Sequence, residues 1–157
     1  ILKFVFNTIG TFDHTGGKEY FGKDDAVIVS YNNIRKRMSK EGFIKAFHKT
    51  IPASLKVALP VITFNDEIKF HFNNEEIEVF DQENANTYGD SILLFKSSNV
   101  VHTGDTIYKS VGYILSRTND QTKIIPGHGK LSKGENTRCF VPHLETLLYV
   151  NQYIHFL

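Results

Sequence analysis

This 157-residue sequence has little cysteine, little net charge and no long apolar run, and each of these features argues against a class of protein. The sequence contains no tryptophan, and its one cysteine is Cys139, so an internal disulfide framework cannot form. Lys and Arg number 18 against 17 Asp and Glu, which gives a formal net charge of +1 and argues against a nucleic-acid-binding face. No apolar run approaches the roughly 18 residues that a membrane span requires.

The residues that are present suit one folded domain. Apolar residues make up 41% and charged residues 22%, and thirteen Phe with seven Tyr supply the bulk of a core. The length is that of one ordinary domain, so residues 1–157 are predicted to form a single domain. Because the sequence begins with Ile1 rather than methionine, we expect that an upstream segment was removed or that the chain belongs to a longer polypeptide.

Short apolar runs alternate with helical patterns along the chain, which predicts the α/β class. Ile68, Phe70 and Phe72 alternate with polar residues, and Asn73-Asn74 can supply the positive φ angles of a tight turn, so a hairpin is predicted there. The other predicted strands cover residues 2–6, 26–30, 76–79, 91–95, 99–102 and 122–125. Helices are predicted at residues 18–21, in a segment capped by Asn32 or Asn33 that runs through Met38, at 111–116 and from about 136 onward. Residues 51–60 are predicted to be a surface loop.

Four side chains that can bind a metal follow three of the predicted strands. Asp13 and His14 are predicted to lie in the loop that follows the first strand, Asp105 follows a later strand, and a last strand leads into His128, which stands between two glycines. In open α/β sheets, ligands gather at the carboxyl ends of strands. Two carboxylate oxygens and two imidazole nitrogens suit tetrahedral Zn²⁺, or Fe or Mn with added waters. The alternative interpretation is that these glycine-flanked residues form ordinary turns.

The order of these motifs resembles that of the metallo-β-lactamase superfamily. The first motif of that family, His-x-His-x-Asp-His, is similar to residues 9–14, which are followed by the usual Thr-Gly-Gly. The bridging-aspartate strand resembles residues 99–105, the last histidine motif resembles 124–129, and the Ala-His-Thr-x-Gly-Asp segment is similar to 84–91. The resemblance implies a metallo-β-lactamase-like αββα sandwich that is incomplete at its N-terminus.

The resemblance implies that one of the two metal sites of the family is lost here. The places of its three histidines are taken by Ile9, Thr11 and Asn86, and an alkyl group, a neutral hydroxyl and an amide oxygen are poor zinc ligands. One zinc ion at most is therefore expected. The other site of the family keeps all four of its ligands, which are Asp13, His14, Asp105 and His128.

The resemblance also assigns catalytic roles to Asp13 and Asp105. His102 directly precedes the Thr-Gly-Asp turn and is predicted to support the metal ligands from behind.

Three functions remain open at this point. The first is a hydrolase-like protein that is impaired or inactive, a pseudoenzyme, because each lost electrostatic contribution costs about 3 kcal/mol, or about a hundredfold in rate. The second is a mononuclear zinc hydrolase of esters, lactones, thioesters or β-lactams. The third is a structural subunit of a larger assembly.

The expected partners follow from the same resemblance. The family has strands before its first motif that this sequence lacks, and an uncovered sheet face tends to associate. We therefore expect a protein partner or an upstream segment to cover that face. A small-molecule substrate is expected if the protein is active, and neither a nucleic acid nor a membrane span is predicted.

Overall fold

A computed structural model describes residues 2–44, 48–81 and 89–135 as a mixed arrangement of helices and strands. The strands are β1 Phe4–Asn7, β2 Val27–Tyr31, β3 Gly42–Ile44, β4 Lys49–Ile51, β5 Ile62–Phe64, β6 Glu67–Phe72, β7 Glu75–Asp81, β8 Ser91–Phe95, β9 Val100–Gly104, β10 Lys123–Pro126 and β11 Ser132–Lys133. The helices are α1 Phe12–Thr15, α2 Lys18–Lys23, α3 Asn32–Met38 and α4 Ile107–Arg117, with a 3-10 turn over Lys56–Ala58.

The smaller of the two main sheets is parallel and has the strand order β1-β2-β5. Val5 lies opposite Ile28, and Val29 lies opposite Ile62. Parallel neighbours need crossover connections, and the helices α1, α2 and α3 provide them. Side chains alternate between the two faces of a strand, so β2 packs one face on the other main sheet and turns the other toward α2 and α3.

The larger sheet has the order β11-β10-β9-β8-β7-β6. Its strands β6 to β9 form an antiparallel meander, whereas β9 and β10 are parallel and are connected through α4. The predicted hairpin is confirmed, since Asn73 and Asn74 have φ angles of 53° and 59° in the turn between β6 and β7. A separate two-stranded hairpin is formed by β3 and β4.

Two hydrophobic cores hold the layers together. Between the sheets, Val29 of the smaller sheet packs with Val79 and Leu93 of the larger one, and the rings of Phe6 and Phe70 meet edge to face at 4.8 Å. On the outer face of the larger sheet, Ile114 of α4 packs with the buried residues Phe80, Ile92, Leu94, Val101 and Ile124. Helices thus cover both sheets, and the expected four-layered αββα arrangement is confirmed.

Some local predictions were wrong. The residues around Phe12–Thr15 form a short helix rather than a loop. The N-cap of α3 is Tyr31, which makes no side-chain capping hydrogen bond, and the Asn32 side chain instead donates to Asn65 at 3.1 Å. Strands β3, β4 and β5 have only three residues each, too few for a periodic pattern to show.

The predicted helix from about residue 136 onward, which includes Cys139, lies outside the described residues. Within the described part of the chain, none of the helices is both long and apolar enough to cross a membrane.

Candidate metal centre

Three loops meet at one edge of the sandwich. The strands β9 and β10 are parallel neighbours, so their carboxyl ends lie side by side and bring Asp105 next to His128. The end of β1 is held close by the backbone N–H of Ser91, which donates to Thr8 O at 2.7 Å. The chain then enters α1, which carries Asp13 and His14. The topology therefore assembles the site from residues more than 110 positions apart in sequence.

Three of the four predicted ligands form a compact group, and the fourth, Asp105, lies close to both histidines of that group. His14 Nε2 lies 3.0 Å from His128 Nε2, 3.1 Å from Asp105 Oδ2 and 3.3 Å from Asp13 Oδ2. His128 Nε2 lies 3.2 Å from Asp13 Oδ2 and 3.7 Å from Asp105 Oδ2. A tetrahedral zinc ion with ligand bonds of about 2.0–2.1 Å requires donor atoms about 3.3 Å apart. The observed separations bracket that value, and Asp13, His14 and His128 form a group that could hold a metal ion.

The surroundings of Asp105 also fit a cation. Asp105 Oδ1 is buried and has no hydrogen-bond partner among the described residues, and an unsatisfied buried carboxylate oxygen is costly unless a charge compensates it. A Cβ added at Gly127 would collide with this same oxygen and lie 3.0 Å from His14 Cε1. Glycine at position 127 therefore allows the two loops to approach closely enough to share one ion.

The protonation states near the site suit metal binding. The neighbouring Thr11 hydroxyl holds the pKa of Asp13 below its ordinary value, with smaller contributions from the charge on His14 and from a hydrogen bond with His128. Burial lowers the pKa of His102, and the proximity of His14 lowers it further while Asp105 opposes the change. An ionised carboxylate is a form that binds divalent metals.

One side of the site is open to solvent. The side chains of His14 and Asp105 are 16% and 19% exposed, whereas those of Asp13 and His128 are 41% and 68% exposed. Water or a small molecule can therefore reach the Asp13–His128 side directly.

The positions of the expected lost site hold no strong ligand in the described part of the chain. Ile9 is completely buried, with 0% of its surface exposed, and its alkyl side chain offers no lone pair. Thr11 is partly buried and lies beside Asp13. Asn86, the third position, lies outside the described residues.

Sequence reasoning missed one feature beside the site, the backbone link between its loops. Gly104 has a φ of +52°, its N–H donates to His102 Nδ1 at 3.1 Å, and its carbonyl accepts from Gly127 N at 2.7 Å. The glycines at both positions were the signal in the sequence, because such positions allow close backbone approach.

Comparison by sequence gives no match. No family model matches this sequence, and no curated protein is similar to it in sequence.

Comparison by structure gives clear matches. A metallo-β-lactamase from Pontibacter korlensis is 14% identical, with a TM-score of 0.67, and the alignment covers 91% of this chain and 69% of that one. The BLEG-1 B3 metallo-β-lactamase is 13% identical, with a TM-score of 0.73 and coverages of 91% and 77%. A peroxy diiron species of the chemotaxis sensor ODP is 14% identical, with a TM-score of 0.68 and coverages of 90% and 68%. At these identities the matches establish the fold, and this chain has the metallo-β-lactamase fold.

Proposed function

On this fold, we propose that the chain binds one divalent metal ion through Asp13, His14, Asp105 and His128, and that its hydrolytic activity is impaired or lost. The observation that supports the proposal is that Asp13, His14 and His128 place donor atoms 3.0–3.3 Å apart in a group that could hold a metal ion, with Asp105 Oδ2 at 3.1 Å from His14 Nε2 and 3.7 Å from His128 Nε2. The buried, unpartnered Asp105 Oδ1 supports it, because a cation would compensate that charge.

A second ion has no comparable set of ligands in this proposal. Ile9 fills its position with a buried alkyl group, and Thr11 and Asn86 offer only neutral oxygens. Loss of one electrostatic contribution to the transition state costs about 3 kcal/mol, or about a hundredfold in rate. Four protein ligands also fill a tetrahedral shell, as in structural zinc sites. Both arguments favour a weak or inactive hydrolase.

The proposed roles of the two carboxylates differ because their exposure differs. Asp13, at 41% exposed, can accept a proton from a water molecule that approaches from solvent. Asp105, at 19% exposed, is held inside and would serve mainly as a ligand. When bound, the ion would supply Lewis-acid activation of water or of a substrate carbonyl.

The alternative is a working mononuclear hydrolase of esters, lactones, thioesters or β-lactams. The exposed His128 and Asp13 favour it, because a substrate can reach that side of the site. Two of the similar structures are metallo-β-lactamases, which makes a β-lactam a suitable probe.

The proposed metal is zinc, and the nitrogen and oxygen donors also suit iron or manganese. The chemotaxis sensor ODP, which shares the fold, carries a diiron species. The metal assay should therefore include all three ions.

Metal content and turnover together test the proposal. The purified protein is loaded separately with Zn²⁺, Fe²⁺ or Mn²⁺, dialysed, and analysed by mass spectrometry for metal per chain. We expect one equivalent for the wild type, clearly less for Asp105→Ala, and one for Asp66→Ala, a control at an exposed turn. Hydrolysis of a chromogenic cephalosporin and of a p-nitrophenyl ester is measured in parallel, and we expect little or none.

The outcomes separate the candidates. One ion with turnover that disappears in Asp105→Ala would favour the mononuclear hydrolase. No bound metal, or two ions per chain, would contradict the proposal.

A further inference from the structure

We propose that His102 is a positioning residue whose ring fixes the Gly104–Asp105 turn and so sets the direction from which Asp105 meets the metal ion. The inference rests on the proposed metal site and adds a residue that does not itself bind the ion. It is carried by hydrogen bonds around Gly104 rather than by the proximity of a histidine.

The His102 ring acts where the pairing of β9 with β8 ends. Pairing between β8 and β9 extends to Leu93 opposite His102, and the register between β9 and β10 shifts between Ile125 and Pro126. Gly104 lies just beyond the last β8 pair, at a φ of +52°. Its N–H donates to His102 Nδ1 at 3.1 Å, so the side chain holds the backbone where the pairing with β8 has stopped and only the pairing with Pro126 of β10 remains.

Gly104 is held from its other side by the loop that carries His128. Its carbonyl oxygen accepts from Gly127 N at 2.7 Å. A residue held at both its N–H and its carbonyl has little freedom to rotate. Displacement of the His102 ring would therefore move two loops, and with them the ligands Asp105 and His128.

The turn after Asp105 is fixed separately. Thr106 Oγ1 donates to Thr103 O at 2.6 Å, and Thr106 N donates to the same oxygen at 3.1 Å. Because these hydrogen bonds fix the backbone after Asp105, the position of Asp105 depends mainly on the backbone conformation of Gly104. Asp105 Oδ1 also lies so close to Gly127 that a Cβ added there would collide with it. Small shifts of Gly104 should therefore appear directly as altered metal coordination.

The required chemistry is one hydrogen-bond acceptor at the δ position of residue 102. An asparagine side chain offers its Oδ1 at the position of the histidine Nδ1. Leucine has the same branching but no acceptor. The pair His102→Asn and His102→Leu therefore separates the hydrogen bond from the packing of the side chain, and His71→Leu, at an exposed position of β6, serves as the control.

Three measurements test the role. Zinc affinity is measured by competition with a chromophoric chelator, coordination by the visible absorption of the Co²⁺-loaded protein, and folding by thermal unfolding of the metal-free protein in EDTA. We expect His102→Leu to bind zinc about 10- to 100-fold more weakly and to give a changed cobalt spectrum. His102→Asn should keep both properties close to wild type, and His71→Leu should change neither.

Three other results would overturn the inference. If His102→Leu keeps wild-type zinc affinity and an unchanged cobalt spectrum, the ring does not position Asp105. If His102→Asn and His102→Leu lose affinity equally, the ring acts through packing. If the wild type binds neither zinc nor cobalt, the proposed function fails and this inference fails with it, a result that the wild-type titration alone identifies.

Discussion

At the scale of single residues, the most unusual environment outside the metal site is that of Lys18. Its side chain lies directly after Gly16-Gly17 and is only 2% exposed. The ammonium group donates to the sulfur of Met38 at 2.9 Å, and a thioether is a weak acceptor. Burial therefore lowers the pKa of Lys18 from 10.5 to about 7, because the charged form loses its hydration.

This lysine should make stability depend on pH. Its folded-state pKa lies below its unfolded value, so the unfolded chain holds the proton between about pH 7 and 10.5 and stability rises with pH in that window, by about 1.4 kcal/mol per pH unit. We expect Lys18→Met to be more stable than wild type at pH 6.5, because the uncompensated charge is removed, and to lose the rise toward pH 9. Urea unfolding at the two pH values measures both effects.

The control for this prediction is Lys23→Met, which removes an exposed lysine paired with Glu19. It should change stability little at either pH. A Lys18→Met protein that is no more stable than wild type at pH 6.5 would show that the buried amine is compensated by its surroundings.

At the scale of elements, the helices α2 and α4 each contain a glycine, and the space around the two glycines differs. A Cβ added at Gly22 of α2 would collide with the carbonyl of Val57 in the 3-10 turn. A Cβ added at Gly112 of α4 would meet no atom within 4 Å among the described contacts. Both residues lie inside helices, so alanine has the same intrinsic advantage at both positions. The difference between the two substitutions therefore measures the close packing of α2.

We expect Gly22→Ala to destabilise the protein by about 1–3 kcal/mol, the usual effect of an inserted group in a packed contact. Gly112→Ala should stabilise it by up to about 1 kcal/mol. Chemical denaturation of both variants gives the two values. Equal effects of the same sign would show that α2 and the 3-10 turn can move apart without loss.

At the scale of the whole molecule, both sheets end on the same side of the sandwich. In the described part of the chain, β1 is an edge strand of the smaller sheet and β6 of the larger one. The rings of Phe4 and Phe72 meet there at 5.4 Å, yet Phe72 is 39% exposed. Edge strands with apolar side chains tend to pair with other strands.

The expectation of a protein partner stays a prediction, and the edge strands β1 and β6 are the place where we test it. We expect the isolated 157-residue chain to self-associate as the protein concentration rises, and light scattering measures this association. Phe72→Ser should weaken the association, whereas Phe43→Ser, at a 59% exposed position on β3, should not. A monodisperse wild-type monomer would refute this expectation.

Much of the fold could be predicted from local patterns. The alternation at Ile68, Phe70 and Phe72 identified β6, and the two asparagines identified the turn that follows it. The three-residue strands β3, β4 and β5 could not be found in this way, since their pairing partners, not their own sequences, make them strands. The capping prediction at Asn32 was wrong because the helix begins at Asn32 itself, with Tyr31 as its N-cap, and the Asn32 side chain donates to Asn65 instead.

The sequence by itself determined which donor atoms a metal could use and the order in which they occur, because ligand chemistry belongs to each side chain. It also determined that Ile9 cannot be a ligand. Only the tertiary structure decided that Asp13, His14 and His128 lie together with Asp105 close by, that Gly127 permits this approach and that His102 accepts a hydrogen bond from Gly104. Those properties depend on distances between loops far apart in the chain, and such distances are set by the pairing of β9 with β10 and by the packing of the two sheets.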